Sequence, residues 1–403
     1  MRARGMRELL PAEMDRVRRV EETFAASCRA WGYREIRTPV IEPLHLFTAA
    51  GTLSPKMLDT VYSFLDWDGW SGERVVLRPD STIPAARLYG ERFEGVAKLF
   101  YRQNIFRFTD DGSSREEWQC GVELIGDTGP AGDVELVLLA LETLAPLGLE
   151  PLTVRISHAG IARAVLAETG LPSEEQSRAY DRLLDGDLTV VDEIEARLPQ
   201  LNAPLRLLFE VEGAGGGYVA NVKNAIAPAL PALKPAFDDL AVVTGVLEAS
   251  GVAPVVQAVL ARSFEYYSGT VFKIFAGDTR VCSGGRYDHL IGLIGDRPAA
   301  ASGFAHYVSP IVERMRISEP PESARRVLVE APDTVAGIAA AHAAASALRA
   351  AGMIAATSAA GSDNAGAILR VGSNGESFAL TDGEGTRQFS SLDEVVTAFR
   401  GNR

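Results

Sequence analysis

Cysteines and histidines are the residue types in this 403-residue chain that most readily bind metal or do redox chemistry. Their spacing argues against both. Cys28, Cys120 and Cys282 form an odd, widely separated set without a CxxC pair, which fits a reducing compartment better than a disulfide framework or a zinc knuckle. His45, His158, His289, His306 and His342 show no HExxH-like spacing, so no metal site is expected. The Gly-rich run from Gly213 to Gly217 invites a nucleotide-loop reading. It lacks both the Lys of a P-loop and the spacing of a dinucleotide fingerprint, so a plain turn is expected there.

Charge narrows the field further. Lys and Arg number 40 against 53 Asp and Glu, a net −13, a poor balance for gripping a polyanion. Hydrophobic residues make up 47% and charged residues 23%, ordinary globular usage. A chain of this length calls for two or three units and needs no metal or disulfide staple. The N-terminus runs straight into polar sequence, and no apolar run reaches the roughly 20 residues that span a bilayer. A soluble, cytoplasmic protein without membrane association is expected.

Periodicity then supplies the elements. Val17, Val20, Phe24, Cys28 and Trp31 step by three and four, predicting an amphipathic helix over residues 11–31 that stops at Gly32. Residues 33–40 read as a strand ending at Pro39, and 60–65 and 74–77 as two more, the last running into the turn Arg78-Pro79-Asp80. Residues 99–108 and 117–125 flank a polar loop and read as an antiparallel hairpin. Residues 134–144 form an apolar helix with Asp133 as its expected N-cap. A mostly helical insertion covers about 161–250. Strands return at 270–275 and near 281–288. Residues 317–326 are a polar, Pro-bearing linker, after which 327–330, 354–357 and 367–371 read as strands around an Ala-rich helix (335–351), a small α/β domain covering 327–403.

Several ordered motifs resemble class II aminoacyl-tRNA synthetases, histidyl-tRNA synthetase in particular, over roughly residues 5–315. Arg4-Gly5-Met6-Arg7-Glu8-Leu9-Leu10-Pro11 looks like that family's N-terminal signature. Gly32-Tyr33-Arg34-Glu35-Ile36-Arg37-Thr38-Pro39 resembles motif 1, the homodimer segment. Leu99 to Arg107 and Gln119-Cys120-Gly121-Val122-Glu123 resemble motif 2. The histidine-specific segments appear as Arg262-Ser263-Phe264-Glu265-Tyr266-Tyr267 and Gly284-Gly285-Arg286-Tyr287-Asp288. The resemblance implies an α+β fold: a class II synthetase-like antiparallel sheet flanked by helices, spanning residues 1–316, plus the small C-terminal α/β domain, read as a shortened anticodon domain. It also implies a histidine site. Asp80, Thr82, Gln119 and Glu123 would supply acceptors, Arg107 and Arg262 cations, and Tyr267 and Tyr287 hydroxyl partners.

Departures from the pattern decide the expected role. Where motif 3 of an active enzyme carries an Arg for the nucleotide, Pro310 stands, preceded by Ser309. Thr109 replaces the acid expected opposite the adenine amino group, and Asp110 and Asp111 replace basic loop residues, against the cationic stabilisation that amino-acid activation needs. Leu77-Arg78-Pro79-Asp80-Ser81-Thr82-Ile83-Pro84 is similar to a regulatory paralogue that partners a short-form ATP phosphoribosyltransferase. Residues 327–403 hold five Arg, no Lys and eight Asp or Glu, a net −3, a poor footprint for tRNA. The resemblance therefore implies a non-catalytic regulatory subunit of histidine biosynthesis with no catalytic residue and no cofactor. It would be a homodimer within a hetero-oligomer with the short catalytic subunit, would take histidine as a feedback ligand, and would not bind tRNA. Retention of Arg107 and Arg262 keeps an active histidyl-tRNA synthetase as the alternative, and a histidine-binding sensor with another partner as a third reading.

Overall fold

The structure, a computed structural model, describes residues 2–403 except 50–57, 68, 110–111, 128, 150, 261–265, 296, 317–325, 358–365, 373–375 and 402–403. It divides into two units, Met1–Arg316 and Ile317–Arg403.

Strands of the first unit are β1 (Arg34–Glu35), β2 (Ile41–Pro43), β3 (Ser63–Trp67), β4 (Gly72–Leu77), β5 (Ala97–Phe106) and β6 (Glu116–Ile125). After these come β7 (Leu152–His158), β8 (Gly213–Ala214), β9 (Val255–Val256), β10 (Thr270–Ala276), β11 (Thr279–Arg286) and β12 (Ala301–Tyr307). Nine of them make one sheet in the order β1-β5-β6-β12-β11-β10-β7-β9-β8. The middle of the sheet is antiparallel, and only the β1–β5 and β7–β9 joins are parallel. The expected antiparallel sheet flanked by helices is what the chain builds.

Period-2 burial gives this sheet two functional faces. Even-numbered residues of β6, such as Cys120 and Val122, turn toward the helix Pro11–Ala30, whose stripe of Val17, Val20, Phe24 and Cys28 is buried as its spacing requires. Phe24 meets Phe100 edge-on at 6.0 Å and the ring of His306 at 5.6 Å. His306 is a core residue: its Nε2 lies 2.6 Å from Thr143 Oγ1, and burial drags its pKa down from 6.5 to about 3. Odd-numbered residues of β6 face the other way, toward the site.

Three expectations fail for identifiable reasons. Residues 33–40 are not one strand; only Arg34 and Glu35 pair with β5. Pro39 has no N–H to give a ladder, and the buried Arg78 guanidinium takes the neighbouring acceptors, donating to the carbonyls of Thr38 (2.8 Å) and Pro39 (3.0 Å). β2, β3 and β4 form a separate three-stranded sheet instead. Asp133 does not cap the helix Pro130–Leu144; Gly129 occupies the N-cap, and Asp133 is claimed by Arg286, far away in sequence, in a buried ion pair. Gly213–Gly217 is no plain turn. Gly213 and Ala214 pair with β9, and Gly215 opens the helix Gly215–Ile226, where Gly216 N–H donates to Glu248 Oε1 at 3.1 Å.

The helical insertion lies between β7 and β9 and includes Ser173–Leu184 and Lys234–Ala249. The second unit contains β13 (Arg326–Glu330), β14 (Ile354–Ala356), β15 (Ala367–Val371), β16 (Phe378–Asp382) and β17 (Gly385–Phe389), in the order β14-β13-β15-β16-β17. Its core is small: Ala341, Ala344, Ala345 and Leu348 of the helix Val335–Ala350 pack with Val329, Leu369 and Leu380. The hairpin β16–β17 and the helix Leu392–Gly401 extend this unit beyond the strands and single helix expected.

Candidate functional site

Small residues hollow out the second face of the large sheet. Register places Glu123 opposite Gly303 and Gly303 opposite Gly285; the next row along runs Gly121, Ala305, Ser283 and Lys273. These glycines leave room that neighbouring side chains use. A Cβ on Gly121 would come within 2.3 Å of the Tyr101 ring, one on Gly303 within 2.0 Å of Glu123 Oε2, and one on Gly285 within 2.7 Å of Tyr267. The resulting cavity, about 270 Å³, is lined by Asp80, Thr82, Tyr101, Arg107, Gln119, Tyr266, Tyr267 and Tyr287, among others.

The cavity therefore brings together Asp80, Thr82, Arg107, Gln119, Tyr267 and Tyr287 of the expected set. Glu123 sits one layer below. Its carboxyl accepts a hydrogen bond from Tyr101 Oη at 3.1 Å and a short one from Tyr287 Oη, so it reaches the cavity through two tyrosines. Arg262 lies outside the described residues. Tyr101 and Tyr266 were missed by reasoning from charge alone. Strand parity carried the signal for Tyr101, because residues 101 and 121 pair across the hairpin, on the face of Gln119 and Glu123. Tyr266 packs between Tyr267 and Tyr287 at centroid distances of 5.1 and 5.4 Å. Asp181 and Leu184, from the insertion helix Ser173–Leu184, also line the cavity and carry no sequence signal for it.

Electrostatics favour a cationic visitor at the carboxylate corner. Burial is the main force raising the Glu123 pKa from 4.5 to about 8, aided by the nearby Asp80 charge and opposed by hydrogen bonds from Tyr287, Thr82 and Tyr101. Asp80 is also pushed up by burial, against the Ile83 N–H that donates to its Oδ1 at 2.9 Å and the attraction of Arg107. Asp80 thus does two jobs, tying down the start of the helix Thr82–Arg92 while facing the cavity. Arg107 Nε donates to the Pro79 carbonyl at 2.8 Å, fixing its guanidinium beside the same turn. Thr109 bonds Ser113 through their hydroxyls at 2.9 Å, and Pro310 lies in the first turn of the helix Val308–Arg314, just beyond β12. Asp110 and Asp111 lie outside the described residues. Among the described residues, no group of three or more His, Cys, Asp or Glu could hold a metal ion.

Residues 5–311 match the family model described as histidyl-tRNA synthetase. The chain belongs to the histidyl-tRNA synthetase family. Within that family it is 47% identical over 314 residues to a Dehalococcoides mccartyi protein named ATP phosphoribosyltransferase regulatory subunit, covering 77% of this chain and 76% of the relative. Against the histidine–tRNA ligase of Methanocaldococcus jannaschii it is 32% identical over 313 residues, covering 75% and 73%. A Bacillus halodurans crystal structure described as an ATP phosphoribosyltransferase regulatory subunit/histidyl-tRNA synthetase superposes with a TM-score of 0.76 at 25% identity, covering 92% of this chain and 98% of that one. The histidyl-tRNA synthetase of a Nostoc species, at 18% identity and TM-score 0.79 over 100% and 99% of the two chains, shares the fold.

Proposed function

We propose that this family member is a regulatory subunit of ATP phosphoribosyltransferase that binds free histidine in the sheet cavity and does not activate it. The observation that carries this reading is a cavity that gathers polar side chains suited to an amino acid, in a chain whose sequence lacks the nucleotide-binding charges. Asp80, Thr82, Gln119, Tyr267 and Tyr287 converge on one cavity, with Glu123 behind them. Entry of an ammonium or imidazolium group offsets the desolvation that raises the pKa of Asp80 and Glu123. In the sequence, Pro310 and Thr109 stand where the family's active members would carry charged groups, and neither offers charge to a triphosphate. The name of the Dehalococcoides relative supports a short-form phosphoribosyltransferase as partner.

A homodimer fits the surface of the small sheet. Val40 and Ile41, next to the motif 1 segment, and Phe64, Leu65 and Trp67 on β3 are all exposed, with Leu65 and Trp67 sharing one face of the strand, apolar surface that a second copy would cover. The division of the chain into a synthetase-like core and a repurposed anticodon-like unit belongs to the same reading. The test is twofold. Histidine-dependent pyrophosphate–ATP exchange by the purified chain should stay at background. Addition of the chain to a short-form phosphoribosyltransferase should raise its activity and make it histidine-sensitive. Robust exchange would instead establish an active synthetase, the reading that the retained Arg107 favours. Histidine binding without any effect on the transferase would point to a sensor with another partner.

A further inference from the structure

The helical insertion is tied to the large sheet by buried charge, and the tie ends beside the cavity. Arg286, the last residue of β11, is 8% exposed and forks between two carboxylates. Its Nε and Nη2 donate to Asp133 of the helix Pro130–Leu144, and its Nη1 donates to Asp239 Oδ2 of the insertion helix Lys234–Ala249 at 3.0 Å. The imidazole of His158, the last residue of β7, faces the same Asp239 oxygen from 3.6 Å. His158 Nδ1 accepts from the Gly160 N–H at 3.1 Å, so the neutral ring carries its proton on Nε2, the atom turned to Asp239.

Both ends of the tie reach the site. On the sheet side, residues 286–288 cannot shift singly. The Arg286 carbonyl accepts from the Ser268 N–H at 2.8 Å, the Tyr287 N–H donates to the Ala301 carbonyl at 2.7 Å, and the Asp288 N–H donates to Ser268 Oγ at 2.9 Å. Tyr287 lines the cavity and bonds Glu123. On the insertion side, Lys234–Ala249 packs on Ala159–Glu168, the helix that His158 caps. That helix packs in turn on Ser173–Leu184, the bearer of Asp181 and Leu184. Loss of the Asp239 charge strands no buried partner, because Arg286 keeps Asp133.

We propose, resting on the histidine reading of the cavity, that Asp239 and Arg286 are positioning residues: their ion pair docks the insertion so that Ser173–Leu184 and Tyr287 close on the ligand as one wall. Asp239→Asn removes the tie and alters no residue that lines the cavity. Calorimetric titration of the full chain should show histidine binding about fivefold or more weaker in this variant, with the thermal midpoint close to wild type. Hydrogen–deuterium exchange supplies a readout that a merely structural role would not move. Histidine should slow exchange in residues 173–184 of the wild type and slow it far less in Asp239→Asn. His158→Asn keeps an acceptor for the Gly160 N–H, drops the Nε2–H and should act in the same direction; it decides if Asp239→Asn does not fold. Asp238→Asn, at the exposed neighbouring acid, is the control and should match the wild type in both assays. Wild-type affinity in Asp239→Asn overturns the role, as does an equal loss in Asp238→Asn. If the wild type binds no histidine, the ligand reading fails by itself, and the tie is judged in the free chain: faster exchange of residues 173–184 in Asp239→Asn upholds it, and unchanged exchange sinks it.

Discussion

Glu123 should make the protein lose stability as pH rises through neutrality. In the unfolded chain this carboxyl ionises near 4.5; in the fold, buried beneath Tyr101 and Tyr287, it keeps its proton to about 8. A group whose folded pKa is raised stabilises the fold fully below the unfolded value, and that contribution falls away as pH climbs through the folded one. Each tenfold change in proton affinity is worth about 1.4 kcal/mol, so the gap amounts to roughly 5 kcal/mol between pH 4.5 and pH 9. Asp80 is raised by the same burial and titrates as part of the pair. Glu123→Gln keeps the shape and cannot ionise, which isolates the effect. Urea unfolding of both proteins at pH 5.5, 7 and 9, followed by circular dichroism, should show the wild type losing about 3 kcal/mol relative to the variant across that range. Parallel profiles, with a difference constant within about 1 kcal/mol, would refute the reasoning.

Acid should act through a different residue. His306 stays neutral in the core to about pH 3, while its unfolded counterpart protonates near 6.5, so its contribution is present above 6.5 and is lost as pH falls. His306→Phe should flatten the acid limb of the urea midpoint between pH 6.5 and 4. Gly303→Ala places a Cβ 2.5 Å from the Val122 carbonyl oxygen, which is backbone and cannot rotate away; a loss of about 1–3 kcal/mol and of measurable histidine binding is expected in thermal melts and calorimetry. Arg286→Met strands the buried Asp133 carboxylate and should cost about 3–5 kcal/mol by urea titration, more than any surface Arg change.

The site was readable from sequence where chemistry and local pattern coincide. Hairpin strands around residues 99–125 follow from alternation, and their pairing sets Gln119 and Glu123 on one face. Pattern was silent where distant residues compete for the same groups. Arg78 captures the carbonyls of Thr38 and Pro39, and Arg286 captures Asp133, so a strand and a cap expected from neighbours alone do not form. Asp181 and Leu184 reach the cavity because the insertion helix folds back over the sheet, a tertiary fact without local trace. Tyr101 shares the parity of the Gln119 and Glu123 face, and its room in the cavity depends on Gly121, a residue notable only for what it lacks.

That lack has an evolutionary consequence. Tyr101, Glu123 and Tyr267 each occupy space released by a glycine on an adjoining strand, at Gly121, Gly303 and Gly285. Glycine is already the smallest residue, so drift at these three positions moves in one direction only: it pushes a recognition side chain aside or narrows the chamber. Loss of the ligand is one substitution away, whereas acceptance of a bulkier one has no route through these three glycines. A lineage adapting this cavity to a larger molecule must work from side chains with volume to give up, such as Asp181 and Leu184 of the insertion helix.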